Sequence, residues 1–235
     1  MPFWRQILPV PTRRWLRRGF DRQFCRPGHG VRKLGTTCAW AVIEERMQPG
    51  ASVLSGGAGR DISFEVELAG RRGCQVALFD PSPTGQDTWT ALVDPPKTLR
   101  YFPDGLAGES ARCAFARPAD PAEGSFRQAG AGAMTAENKM EFACLGPREA
   151  LQCAGLEQLE LLKLDIEGFE YDFIASMLGA GIRPVQIAVE FHHFLPGIPL
   201  MKTLTALRQL RAAGYRILHK DQCDYLFVHR GVLTK

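Results

Sequence analysis

The 235-residue chain has no apolar run near the about 20 residues that a membrane-spanning helix needs. It shows no secretory apolar core either, so membrane-spanning and secreted classes are not expected. Seven cysteines, at 25, 38, 74, 113, 144, 153 and 223, make an odd number and form no Cys-x-x-Cys pair. That spacing excludes a disulfide framework and a zinc finger. It points to a reducing, cytoplasmic setting in which thiols act as small apolar groups. Serine is missing from residues 1–35, which argues against an organellar transit peptide. Net charge is only +4, too mild to imply nucleic acid by itself. There is no internal repeat.

What is present is an ordinary globular composition, 45% hydrophobic and 23% charged. A chain this long buries roughly 70% of its unfolded surface without a staple. Charge is unevenly spread. Residues 1–35 carry nine basic side chains against one acid, Asp21, and the remainder is slightly acidic. This divides the chain into a basic arm, 1–35, and a domain, 36–235. Phe3, Trp4, Ile7, Leu8, Trp15, Leu16 and Phe20 interleave with the arginines, so the arm suits an interfacial helix against an anionic surface. Pro9 and Pro11 cut such a helix short.

Along the domain, a helix is expected over 37–47 and short strands at 52–54 and 75–79. The segment 61–68 alternates like a strand, but its acidic start after a glycine loop favours a helix. Two β-like pieces lie at 98–103 and 111–116, a loop or lid at 118–138, and a short extended piece at 141–145. A strand at 161–166 precedes a helix at 169–179, and another strand follows at 185–191. Leu200, Leu204, Leu207 and Leu210 line a helix ended by Gly214. Two closing strands, 215–218 and 225–228, suit a hairpin. Strands alternating with helical patterns imply an α/β fold with a doubly wound, mostly parallel sheet.

The chemistry clusters at strand ends. Leu162, Leu164 and Ile166 alternate with Lys163, Asp165 and Glu167, and Gly168 then breaks the strand. Two carboxylates thus stand at a strand-to-helix turn, where open α/β sheets build ligand sites. Stability alone does not favour acids there, because burying them is costly unless they are paired. Glu190, His192 and His193 end the next strand. A histidine there suits accepting an alcohol proton. Acids with a histidine also suit a metal, but the reading adopted assigns none.

Gly56, Gly57 and Gly59 follow the first of the parallel strands, just after Ser55, and let backbone approach a ligand at a helix start. Asp80 ends the next strand, about 20 residues on, where an acid bonds ribose hydroxyls. A dinucleotide site repeats Gly-x-Gly-x-x-Gly, but Ile62 holds the third glycine's place. Asp61 would repel a pyrophosphate and suits a sulfonium. These residues favour S-adenosylmethionine over NAD.

Four segments together resemble the FkbM family of S-adenosylmethionine-dependent methyltransferases, over roughly residues 31–230. They are Gly59-Arg60-Asp61-Ile62-Ser63-Phe64-Glu65, Ala77-Leu78-Phe79-Asp80-Pro81-Ser82-Pro83, Leu162-Lys163-Leu164-Asp165-Ile166-Glu167-Gly168-Phe169-Glu170-Tyr171 and Val189-Glu190-Phe191-His192-His193. The resemblance implies a Rossmann-like sheet of seven strands with the last antiparallel, and O-methylation, often of a sugar or polyketide hydroxyl. Ser55 stands where many members of the wider superfamily carry an acid. The expected cofactor residues are Ser55, Gly56, Gly57, Gly59, Asp61 and Asp80. The expected catalytic residues are Asp165, Glu167, Glu190 and His192, acting on a small-molecule hydroxyl, while Glu170 is expected to be structural. The alternatives are an NAD-type oxidoreductase and a non-catalytic methyltransferase-like binding module.

Overall fold

The computed structural model describes residues 30–118, 120, 124–128 and 137–233. The interfacial helix expected in the arm lies outside the described residues, as does much of the expected lid. Strand β1 (Arg32–Leu34) pairs antiparallel with β2 (Trp40–Val42). The last residues assigned to the arm are thus already strand. Arg32 and Lys33 make ion pairs with Glu44 and Asp221.

The helix expected over 37–47 does not form. β2 and a 3-10 turn, Glu44–Arg46, stand in its place. Trp40, Ala41 and Val42 are all buried, which a one-faced helix would not allow. The side chain of Gln186 accepts from the N–H of Ile43 and donates to its C=O. It thereby satisfies backbone groups that a helix would have paired internally.

From there the chain runs through β3 (Ser52–Gly56), α1 (Ser63–Arg72), β4 (Gln75–Phe79), α2 (Pro83–Thr90) and β5 (Leu99–Phe102). An inserted stretch gives β6 (Gly105–Leu106), β7 (Ala111–Ala116), β8 (Arg127–Gln128) and β9 (Lys139–Leu145). Then come α3 (Pro147–Ala154), β10 (Leu161–Leu164), α4 (Glu170–Gly179), β11 (Gln186–Glu190), α5 (Leu200–Ala212), β12 (Tyr215–Asp221), β13 (Asp224–His229) and α6 (Arg230–Leu233).

Among the described residues the main sheet has seven strands, ordered β12-β13-β11-β10-β3-β4-β5. β13 runs antiparallel to β11 and β12, and the other pairings are parallel. This is the expected Rossmann-like sheet with its last strand antiparallel, closed by the expected hairpin. Alternation along the strands separates two cores. Leu54, Ala77, Phe79, Leu162, Leu164, Ile187 and Val189 face one layer with residues of α3, α4 and α5. Val53, Val76, Leu78, Leu161 and Ala188 face the other, with α1 and β2. Helices cover both faces, so β10 reads as an almost unbroken apolar run.

Strand order turns back between β3 and β10. Such a reversal opens a crevice at the carboxyl ends of the strands. The inserted strands form a second, four-stranded sheet, β6-β9-β7-β8, beside that crevice. Its Phe142 packs with Phe115 and with Phe126, and Phe115 packs with Phe169 from the turn before α4.

Candidate active site

The glycine loop after β3 is shaped by close approach. A Cβ on Gly57, whose φ is +88°, would lie 1.9 Å from the carbonyl oxygen of Asp165. A Cβ on Gly56 would fall 2.7 Å from Leu106. Gly59 also has positive φ, but its missing Cβ faces open space. Asp80, buried at the end of β4, closes the loop from the other side. Its Oδ2 accepts from the N–H groups of Ala58 and Gly59 at 2.8 and 3.1 Å, and its Oδ1 from that of Ser82 at 2.7 Å. Three bonds leave about one of a carboxylate's four acceptor positions open.

A cleft of about 590 Å³, open to solvent, starts at this loop. Gly57, Gly59, Asp80 and Ser82 line it from the glycine loop and the turn after β4; Asp165, Ile166 and Glu167 line it from the turn after β10. Phe79, Leu106, Phe115, Phe126 and Phe169 supply its apolar walls. Of the described part of the 118–138 segment, Gly124, Ser125 and Phe126 also border the cleft.

Three of the expected cofactor residues, Gly57, Gly59 and Asp80, line this cleft. The other three do not. Gly56 sits under the floor against Leu106 and Ile166. Ser55 is fully buried and donates to Glu65 Oε1 at 2.5 Å. Glu65 in turn pairs with Lys163 at 3.7 Å, and the Lys163 ammonium donates to the carbonyl of Gly57 and sits over the Trp40 ring. Ser55 therefore acts through a buried polar group that props the loop. Asp61 is turned away as well. It accepts from the N–H groups of Thr37, Cys38 and Ser63, tying the 36–38 turn to the start of α1. Burial alone would raise the Asp61 carboxyl, but those donors outweigh it and hold it below its ordinary value.

The acidic end is assembled from two neighbouring strands. Asp165 and Glu167 follow β10, Glu190 ends β11, and His192 follows it. Glu167 takes φ +51°, uncommon for a residue with a side chain. β8 holds it there: the N–H of Gln128 donates to the Glu167 carbonyl at 2.8 Å, and Arg127 pairs with its carboxylate. His192 is buried, with its Nε2 3.5 Å from Asp165, 3.7 Å from Glu167 and 3.8 Å from Glu190. Its Nδ1 lies 3.3 Å from Glu170.

Burial opposes a charged ring, but the carboxylates of Asp165 and Glu170 more than offset it and raise His192 well above its ordinary value. Burial and then Asp165 push Glu190 up to about 7. Burial also raises Glu167. Asp165 moves the other way, because His192 and Lys163 outweigh its burial.

Glu170 does more than suit a helix start. Fully buried, it accepts from the N–H of Gly168 at 2.8 Å and from that of His192 at 2.9 Å. It staples the turn after β10 to the turn after β11. His193 faces away toward Thr203, which also contacts the Tyr171 hydroxyl. The aromatic wall was invisible in the sequence, since Phe115 and Phe126 come from the inserted sheet and carry no motif.

The profile of the Methyltransferase FkbM domain matches residues 149–217. That stretch runs from α3 into β12 and holds the whole acidic end. A solved structure similar to the chain is that of M. jannaschii TYW2 in complex with AdoMet, at 9% identity over 86% of this chain and 85% of that one, with a TM-score of 0.34. No curated protein matches the chain. The family match, over less than a third of the chain, falls on the segment that holds two of the four stretches on which the sequence resembles the FkbM methyltransferases.

Proposed function

We propose that the chain methylates a hydroxyl oxygen of a small molecule, such as a sugar or polyketide hydroxyl. The observation that carries this reading is one cleft lined both by a glycine loop with Asp80 and by the carboxylates of Asp165 and Glu167. When bound, S-adenosylmethionine supplies a methyl group on a sulfonium sulfur, whose C–S bond breaks with its electrons left on sulfur as the O–C bond forms.

The chain's residues do the rest. Gly57 and Gly59 give the methionine part backbone to lie against, with no Cβ in the way. Asp80 has acceptor capacity for about one ribose hydroxyl while it holds the loop. Ser55, Gly56 and Asp61 support that loop from beneath and behind. Asp165, Glu167 and Glu190 orient the acceptor hydroxyl and take up its proton. His192 holds those carboxylates together. Positioning of two reactants in one cleft supplies much of such a rate.

The basic arm over 1–35, ahead of a methyltransferase domain over 36–235, is proposed to touch an anionic surface. Arg32 and Lys33 are spent inside the fold, which leaves the arginines from Arg5 to Arg26 for that task. The six described cysteines, none of them bridged, support a reducing, cytoplasmic setting. No described helix is long and apolar enough to cross a membrane.

The test is transfer of labelled methyl to a panel of alcohols, sugars, amines and thiols. Label on oxygen is expected, with Asp165→Asn slower by about 100-fold. Label on nitrogen or sulfur alone, or full activity in Asp165→Asn, contradicts the reading.

A further inference from the structure

Several carboxylates converge on one imidazole at the acidic end. Four of them, from Asp165, Glu167, Glu170 and Glu190, stand within 3.8 Å of the ring of His192. A protonated ring and Arg127, which pairs with Glu167, offset part of their charge. The distances from Nε2 are also long for hydrogen bonds. His192 is 2% exposed, yet its Nε2 stands 3.5, 3.7 and 3.8 Å from oxygens of Asp165, Glu167 and Glu190. N–H···O bonds rarely exceed about 3.2 Å. One ring nitrogen of a buried histidine is thus aimed at three oxygens that all stand back by a similar distance.

That is the spacing of ligands around an ion. Bonds of about 2.1 Å in a tetrahedral array put neighbouring ligand atoms about 3.4 Å apart. Ligand atoms of Asp165, Glu190 and His192 all lie within 4.8 Å of one another. The far side of the ring supports the same reading. Its Nδ1 faces Glu170 Oε1 at 3.3 Å, and Glu170 is itself fixed by the N–H groups of Gly168 and His192. A fixed carboxylate behind a histidine orients the ring so that its other nitrogen faces the metal.

We infer that Asp165, Glu190 and His192 bind one divalent first-row cation, Mn2+ or Zn2+, at the acidic end of the cleft. The imidazole nitrogen disfavours Ca2+ and Mg2+, which prefer oxygen ligands, and the two carboxylates disfavour copper(I). This adds an ion to a site that the sequence reads without one. The ion's chemical use rests on the proposed methyl transfer: Asp165 borders the cleft, so the ion is placed to ligate the acceptor oxygen and ease loss of its proton.

The test uses the full chain after chelator treatment, titrated with Mn2+ and followed by the electron paramagnetic resonance of the free ion. One Mn2+ per chain is expected, displaced by Zn2+. Glu190→Gln and Asp165→Asn should each weaken binding by about tenfold or more, with circular dichroism unchanged. Independently of any variant, electron spin-echo modulation of the bound Mn2+ should show an imidazole nitrogen. No stoichiometric binding of either ion, binding unchanged in both variants, or no imidazole coupling overturns the inference. S-adenosylhomocysteine is titrated on the same sample. Cofactor binding without Mn2+ or Zn2+ binding removes the ion and leaves the methyltransferase reading standing. Ion binding without cofactor binding does the reverse.

Discussion

A single methyl group tests the cofactor end of the cleft. Gly85 lies in the first turn of α2, and a Cβ there would fall 2.4 Å from Asp80 Cγ. Asp80 would have to move, and with it the bonds to Ala58, Gly59 and Ser82. Gly85→Ala should therefore weaken S-adenosylhomocysteine about tenfold or more, roughly 1.4 kcal/mol, while the fold persists. Calorimetric titration of both proteins checks this; equal affinities would show that the position of Asp80 does not matter. At this scale the cleft position of Gly57, Gly59 and Asp80 was legible, because a loop between strand and helix plus an acid at the next strand end is a local pattern. Ser55 and Asp61 lie off the cleft. Their partners are Glu65 of α1 and the N–H groups of Thr37 and Cys38, and no local pattern announces those.

Among elements, the largest misreading fell on short helices. Neither α2 nor α3 is among the helices that the sequence pattern predicts. Both carry start signals: Ser82 caps α2 by accepting from Gly85, with Pro83 next, and Gly146-Pro147 opens α3. Their eight residues each are too few to show an apolar period, so periodicity had nothing to grip. The ambiguous 61–68 segment did become helix. Phe64, Glu65, Leu68 and Ala69 form its buried face, and Asp61 holds its first turn. Asp61→Asn should cost about 1–2 kcal/mol, from hydrogen bonds lost at the 36–38 turn. The pH dependence follows from its lowered native value. Its contribution is full above its ordinary value of 3.8 and is lost as pH falls through the depressed native one. Urea midpoints should differ between parent and variant at neutral pH, and the gap should narrow as pH falls below 3.8. A constant gap would contradict this role for Asp61.

For the whole molecule, the sheet was legible and the insertion was not. β3, β4, β10, β11 and the closing hairpin each showed in the alternation of apolar residues, and their order fixed the crevice between β3 and β10. The second sheet pairs β7 with β9 across a stretch rich in Pro, Gly and Ala. That composition hid a wall of aromatic side chains beside the cleft. The two ends of the site come from strands whose residues are about 85 apart or more in sequence (Asp80 and Asp165), so only the folded chain shows them facing one space. The central claim is that this space takes S-adenosylmethionine by way of Asp80. Titration with S-adenosylhomocysteine tests it most directly. The account predicts one site per chain, lost or much weakened in Asp80→Asn, and no binding of NAD. Binding of NAD with none of S-adenosylhomocysteine, or an Asp80→Asn protein that binds it as well as the parent, would contradict it.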